Sequence, residues 1–335
     1  MLASSIASTA SDYRAHEFGQ MSAERVIRWV KQFEERVREP LLVELDYVLK
    51  QTYYTQSRVE RFLTVVANDS KFTRGEPVAF WSRTGLLNIQ KGGASQRDML
   101  EMFGRVLEKS FNLGAESGTG ESGEFVYIDD GVFSGSRARQ DLCGWIAGEA
   151  PNKAVIHVVV IALFSAGKWH AEQKVMEAAK SVKKDITLKF WRAQAFENRR
   201  TQRRNSDVLS PGMLPSDEGV VKYADELKAA GYPVELRPGI GLGEGKLFSS
   251  HEGRHLLEQE FLKAGVRIRE QCPNLPQACR PLGFTGLRLL GFGGMVVTYR
   301  NCPNNCPLVF WASDPWYPLF PRKTNTDTQM DAMWL

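Results

Sequence analysis

The sequence predicts an α/β fold: a mostly parallel sheet with helices on its faces, a helical region ahead of it and an irregular C-terminal hood. Three observations carry this expectation. Between residues 95 and 190, short apolar runs alternate with amphipathic stretches of helical spacing, the pattern of strand–helix–strand units. Ahead of them, residues 22–67 carry apolar side chains at helical spacing. Within the alternating part, the apolar run Phe125–Ile128 ends in two adjacent carboxylates, Asp129 and Asp130. A turn of small residues follows, and then a helix-like segment opened by Arg137.

The elements follow in order. Residues 1–20 read as a frayed, Ser/Ala-rich lead, residues 21–70 as the helical region, and residues 71–335 as an α/β domain whose hood elements occupy about 205–300. Val26, Ile27, Trp29, Val30 and Phe33 share a helix face; Pro40 punctuates, and Leu41, Leu42, Leu45, Val48 and Leu49 resume the spacing. A third helix covers Arg58–Val66. Pro77–Trp81 is short and apolar and reads as a strand. Ser95-Gln96-Arg97-Asp98 resembles a capping box ahead of a helix bearing Met99, Met102, Phe103, Val106 and Leu107. Gly114–Gly123 is a loop. Strands then fall at Phe125–Ile128, Ala154–Phe164 and Ile186–Phe190, with helices at Arg137–Ala147 and Ala171–Val182 between them. Beyond Trp191 the order loosens into helices over Val220–Ala230 and His251–Ala264, Gly/Pro-rich segments and a last strand, Pro307–Ala312.

Composition narrows the class. With 43% hydrophobic and 24% charged residues, the 335-residue chain has ordinary globular composition. A formal charge of +4 is too small to argue for nucleic-acid binding by itself. Five cysteines, an odd number, suit a reducing cytosol better than a disulfide framework. Residues 1–15 lack the basic start and apolar core of a signal peptide, and no run approaches the roughly 18 apolar residues that span a bilayer. A soluble, cytoplasmic protein with no membrane partner is expected.

The chemistry concentrates at the acidic pair. A buried strand would deliver Asp129 and Asp130 to the carboxyl edge of the sheet, where open α/β folds bind their ligands. The following turn, Gly131, Val132, Phe133, Ser134, Gly135, Ser136 and Arg137, would present backbone N–H groups at a helix N-terminus, a seat for phosphate. Carboxylates beside a phosphate seat suit a ligand with both diol hydroxyls and a phosphate, as ribose 5-phosphate has.

The 13-residue segment Phe125–Arg137 resembles the ribose-phosphate signature of type I phosphoribosyltransferases. Val126, Ile128, Asp129, Asp130, Val132, Ser134, Gly135 and Arg137 stand where that pattern has them. Tyr127, Gly131 and Phe133 depart from it, Phe133 replacing a small or hydroxyl residue. With the blocks Asn88–Gln96, Ser249–Arg254 and Asn301–Trp311, the chain is similar to a divergent group of phosphoribosyltransferase-like proteins of bacterial conflict systems, some encoded with retron reverse transcriptases. The resemblance implies a sheet of type I phosphoribosyltransferase type. It implies Asp129 and Asp130 as the catalytic pair on the ribose hydroxyls of phosphoribosyl pyrophosphate, one of them stabilising oxocarbenium charge. Gly131–Arg137 would take the 5-phosphate. Magnesium, with Asp129 and Asp130 as protein ligands, would bridge pyrophosphate and ribose. A pyrophosphate loop is implied after an earlier strand. Lys91, Gly92 and Gly93, between the Pro77–Trp81 strand and the Ser95 helix, are its best candidates, since two glycines allow close backbone approach and Lys91 adds charge. The resemblance also implies an anti-phage effector acting on nucleotides or nucleic acid. Its partner would be a reverse transcriptase–nucleic acid complex or a small DNA-binding protein.

Other readings stand beside this one. A catalytically silent module could keep the pocket for nucleotide sensing or docking. His251-Glu252-Gly253-Arg254-His255 puts two imidazoles on one helix face with a candidate base between them, as in helical zinc proteases. Gly253 weakens a helix interior, however, and a polar helix start capped by Ser249 or Ser250 explains the same residues. Cys272, Cys279, Cys302 and Cys306 lack the usual paired spacing of a zinc knuckle and read as buried thiols. Arg192, Arg199, Arg200, Arg203 and Arg204 lie beside Phe190, Trp191 and Phe196. This stretch could meet nucleic acid, an acidic partner or substrate phosphates, or be a solvated loop. Gly239–Lys246 fails the Walker pattern at Ile240 and Leu247 and reads as a flexible loop. Phe310 and Trp311 read as core strand.

Overall fold

A computed structural model describes residues 1–91, 95–114, 118–232, 234–286 and 290–322, and its contacts divide the chain into two compact units. In the first, Ser57–Ala195, the chain runs β1 (Gly85–Leu86), α1 (Ser95–Phe111), β2 (Glu124–Val132), α2 (Ser136–Gly148), β3 (Lys153–Phe164), α3 (Ser165–Ser181) and β4 (Asp185–Phe196). The four strands form one sheet in that order, and β1 with β2 and β2 with β3 pair in parallel. β3 is apolar almost throughout because it lies in the interior of the sheet with both faces covered, whereas the edge strand β4 alternates and carries the charged Lys189 and Arg192.

One face packs Tyr127, Val158 and Val160 against Leu142, Trp145 and Ile146 of α2 and Ala171 and Val175 of α3. On the other face His157 stacks on Phe72, with ring centres 4.5 Å apart, and meets Phe80 edge-on; Phe72 and Phe80 lean on Trp81, and Trp81 on Phe103 of α1. His157 is buried between two fixed partners. Trp191 Nε1 donates to its Nδ1 at 3.0 Å, so the proton sits on Nε2 and is donated to Glu124 Oε2 at 2.6 Å. Arg74 completes the charge balance by pairing with Glu124. With both ring nitrogens engaged, His157 has no atom left for catalysis.

Burial holds the His157 pKa below its ordinary value, against the pull of Glu124. The unfolded chain therefore binds this proton more readily than the folded one. The resulting stability is fully present above the unfolded value of about 6.5 and is lost as pH falls through the folded one. The melting temperature is accordingly expected to drop as pH falls below about 6.5. The imidazole should hold its Nε2–H tautomer at neutral pH by nitrogen NMR; an Nδ1–H tautomer would contradict the Trp191 contact.

The second unit joins Met1–Gln56 to Phe196–Leu335. Its core gathers Trp29 and Phe33, Leu41 and Leu45 of the helix Glu35–Thr52, Phe261 of the helix His251–Gln271, and Phe310 and Leu319. The helix Glu35–Thr52 continues through Pro40, which does not interrupt it as expected.

Three local expectations are corrected. Pro77–Trp81 is a helical turn with Pro77 in its first position, and the strand ahead of α1 is Gly85–Leu86. Trp81 donates from Nε1 to the Ala67 carbonyl, so the segment's apolar residues close an aromatic cluster instead of extending a sheet. Leu308–Trp311 is likewise one helical turn, following Pro307, and Trp29 Nε1 bonds the Val309 carbonyl inside it. Residues 1–20, read as a lead, contain the helix Leu2–Thr9, sealed by Ile6, Ala10 and Tyr13, which are buried. The expected boundaries at residues 20 and 70 do not coincide with the two units.

Candidate functional site

β2 does not stop at the acidic pair: it runs on through Gly131 and Val132, with Asp129 beside Val160 and Val132 beside Leu163 of β3. Successive strand residues face opposite ways, so the two carboxylates lie on different faces of the sheet edge. Both are nearly buried, Asp129 at 7% and Asp130 at 5% exposure. Asp129 shares its face with Tyr127, and its Oδ1 accepts the Asp130 N–H at 2.8 Å, which folds the carboxylate back along the strand.

The turn follows at the carboxyl edge, as the sequence implied. Gly135 caps α2 in the left-handed region, φ 77°, and Ser134, Ser136 and Arg137 are exposed. A methyl group on Gly135 would meet the Gly167 carbonyl, and one on Gly167 the Phe133 carbonyl. The two glycines thus let the N-terminus of α3 close against the turn. The departures Gly131 and Phe133 explain each other: the Phe133 ring stacks on Phe164 with centres 5.1 Å apart, and a Cβ on Gly131 would stand 2.9 Å from that ring.

The segment before α1 docks on the same edge. Gln90 and Gln96 clasp each other across it. Gln96 Oε1 accepts from Ile89 N at 2.7 Å and Gln90 N at 2.9 Å; Gln90 Oε1 accepts from the Ser95 hydroxyl at 3.0 Å and Gln96 N at 3.3 Å. Gln90 Nε2 then reaches Asp129 Oδ2 at 3.4 Å, and Arg137 Nη1 donates to the Lys91 carbonyl at 3.1 Å. Lys91 therefore lies next to the turn, while Gly92 and Gly93 are outside the described residues. The clasp is not legible in the sequence, where Gln96 reads only as part of a capping box and Gln90 precedes the glycine-bearing Lys91 segment.

Tyr127 and Asp141 were also missed. The buried Tyr127 hydroxyl lies 2.8 Å from Asp141 Oδ2 and 3.4 Å from Asp129 Oδ2. Burial drives the phenol pKa upward, and the neighbouring Asp129 and Asp141 charges add to this. Beside the turn, a cleft of about 320 Å³ opens between α3 and β4, lined by Leu163, Ser165, Lys168, Leu188, Phe190 and Arg192. Lys168 sits over the Phe190 ring at 4.9 Å and pairs with Glu172 at 2.8 Å.

The other candidates find structural uses. Ser250 caps the helix His251–Gln271 by accepting from Gly253 N, Glu252 and His255 are exposed, and Glu258 is taken by arginines. Among the described residues no three His, Cys, Asp or Glu side chains are grouped to hold a metal, so neither zinc reading finds a ligand set. Of the basic stretch, Arg199 pairs with Glu197, and Arg200 and Arg203 both pair with Glu235. The Gly239–Lys246 loop is anchored by Arg254 on the Gly241 carbonyl and by Asp207 on Gly245 N.

The fold and site define an α/β protein with an acidic strand end beside a glycine-capped turn. The chain belongs to the PRTase-CE family, a phosphoribosyltransferase-like family whose profile matches residues 26–322. No curated relative and no solved structure matches it. No helix among the described residues is long and apolar enough to cross a membrane.

Proposed function

We propose that this protein is a phosphoribosyltransferase-like enzyme that binds phosphoribosyl pyrophosphate at the Asp129–Arg137 turn, in a sheet of type I phosphoribosyltransferase type. The observation that supports this best is the convergence of Asp129, the α2 N-terminus and the Lys91 segment on one edge of one sheet, tied together by the Gln90–Asp129 and Arg137–Lys91 hydrogen bonds. In this reading Asp129 and Asp130 accept the ribose hydroxyls. The N–H groups and hydroxyls of Ser134, Gly135 and Ser136 hold the 5-phosphate, and Lys91 faces the pyrophosphate. Because Asp129 and Asp130 face opposite ways, one of them would hold magnesium, which takes one or two protein carboxylates, and the ion would there offset pyrophosphate charge. As the bond from the anomeric carbon to pyrophosphate breaks, the carboxylates stabilise the positive charge left on the sugar. The acceptor, a nucleotide or nucleic acid, is placed in the adjoining cleft, whose Phe190 ring and Lys168 and Arg192 side chains suit a base and a phosphate. On the family likeness we assign the wider role of an anti-phage effector of retron type. It would act in the cytoplasm under a reverse transcriptase–nucleic acid complex or a small DNA-binding protein.

Calorimetric titration with magnesium and phosphoribosyl pyrophosphate, alongside pyrophosphate release, tests the site. The double variant Asp129→Asn, Asp130→Asn is expected to lose at least about tenfold in affinity, the scale of a charged hydrogen bond. His251→Ala is expected to bind as the unaltered protein does. Absence of binding by the unaltered protein, or an undiminished double variant, overturns the assignment.

A further inference from the structure

The Ile89–Lys91 segment is held at the acidic edge by bonds of two kinds. The first kind fixes its own shape. Gln96 is fully buried in the first turn of α1, a helix that Met99, Met102 and Phe103 seat in the core. Its Oε1 accepts from two successive backbone N–H groups, Ile89 N at 2.7 Å and Gln90 N at 2.9 Å. Gln96 therefore holds the main chain of the segment whatever side chain stands at position 90. The second kind fixes where the segment stands against β2 and α2. Gln90 Nε2 donates to Asp129 Oδ2 at 3.4 Å, and Arg137 Nη1 to the Lys91 carbonyl at 3.1 Å. The Gln90 amide is itself steered: its Oε1 is held by the Ser95 hydroxyl and Gln96 N, which turns Nε2 toward the carboxylate. A neutral amide tethers Asp129 without cancelling its charge, as a lysine or arginine there would. The carboxylate keeps its attraction for sugar hydroxyls.

We propose that Gln90 and Gln96 are positioning residues that set the register between two subsites of one ligand. Gln96 shapes the segment that faces the pyrophosphate, and Gln90 fixes the distance of that segment from the ribose carboxylate Asp129. The proposal rests on the ribose-phosphate reading above. A ligand that carries pyrophosphate on its ribose must meet both subsites at once. It gains over its separate fragments only when the subsites stand at the matching distance. Without the Gln90 tether the segment keeps its shape, because Gln96 still holds its backbone, but it is no longer fixed against Asp129. Apparent affinity for the whole ligand then falls in proportion to the molecules still in register. A fragment that touches one subsite does not sense the change.

The test titrates the full chain, with magnesium, against phosphoribosyl pyrophosphate, pyrophosphate and ribose 5-phosphate, the fragments followed by ligand-observed NMR. Gln90→Met fills similar space without a donor. It is expected to bind both fragments as the unaltered protein does, and the whole ligand on the order of fivefold more weakly, the weight of one net hydrogen bond. Gln96→Met releases the backbone of the segment. Pyrophosphate by itself then also binds on the order of fivefold more weakly, with ribose 5-phosphate unchanged. A clasp that only supports the fold would weaken all three ligands together. Equal losses across the three ligands, or whole-ligand affinity unmoved by Gln90→Met, overturn the positioning role and leave the proposed function standing. An unaltered protein that binds the whole ligand but neither fragment has no separate subsites to register, and overturns it as well. If Gln96→Met does not fold, Gln90→Met, at a half-buried position, decides alone. An unaltered protein that binds none of the three overturns both readings.

Discussion

Glutamine in place of Glu258 is expected to cost about 3–5 kcal/mol of stability, the penalty for breaking a buried ion pair by removing one partner. Glu258 and Arg254 are both fully buried on the helix His251–Gln271. Glu258 accepts from Arg254 Nε at 2.8 Å, Arg237 Nη2 at 2.9 Å and Ser210 N at 3.1 Å. Arg254 spends its remaining donors on the carbonyls of Gly241 and Val208 and on the Ser206 hydroxyl. One carboxylate therefore faces two guanidinium groups. Burial lowers the Arg254 pKa, yet a guanidinium stays protonated in a protein. Glutamine keeps the volume and withdraws the charge, so the two guanidinium groups lose the carboxylate that pairs with both. A fall in melting temperature and faster proteolysis around residues 239–246, which these arginines anchor, are the expected readouts. Replacing Arg254 and Glu258 together by methionine should recover part of the loss, because apolar groups of similar volume do not require pairing. A single variant costing under about 1 kcal/mol would show that the pair does not organise this region.

The Glu258 cluster also shows why part of the fold was hidden. The sequence drew attention to His251 and His255, whose spacing matches a known motif, while Arg254 and Glu258, four residues apart on the same helix, went unread. Spacing along a helix was available; the approach of Arg237, Ser206 and Gly241 from loops was not, because nothing local encodes it. The strands were legible for the opposite reason. β3 is so uniformly apolar that only burial on both faces accounts for it, and its position followed almost to the residue. Pro77–Trp81 and Pro307–Ala312 failed because five or six apolar residues show no period that separates a helical turn from a strand. The proline opening each segment was the usable signal, since it fits the start of a helix.

At the site, the carboxylates, the turn and Lys91 were readable from residue type and order. What joins them was not. Tyr127 meets Asp141 across 14 residues of chain, and the Gln90–Gln96 clasp closes over a loop whose path no propensity sets. Gly131 and Phe133 looked like two separate departures from the family pattern. In space they are one substitution, a ring laid over the position that carries no side chain.

The same logic of close approach makes Gly167→Ala the second large effect. A helical glycine replaced by alanine ordinarily gains up to about 1 kcal/mol, and Gly144→Ala on α2, with no atom within 4 Å of the new methyl, should do so. Gly167 should do the reverse. Its added methyl would strike the Phe133 carbonyl, and the surroundings are the backbone of Phe133 and Gly135, which has no rotamer to change. Either α3 retreats, unseating Ala171, Val175 and Ala179 from the core, or the turn moves. Overpacking of this kind costs about 1–3 kcal/mol, enough to outweigh the gain in helix propensity. Ser134, Ser136 and Arg137 of the turn are exposed while α3 is seated in the core, so the turn is the side expected to give, and shifting it by about 1 Å is the scale of misplacement that costs on the order of a hundredfold where geometry carries the chemistry. Gly167→Ala is therefore expected to lower the melting temperature and to weaken the proposed phosphoribosyl pyrophosphate binding far more than that stability loss explains, whereas Gly144→Ala raises the melting temperature slightly and leaves binding unchanged. Equal behaviour of the two variants would mean that α3 does not abut the turn, and the proposed 5-phosphate seat would then have to be sought without its second helix.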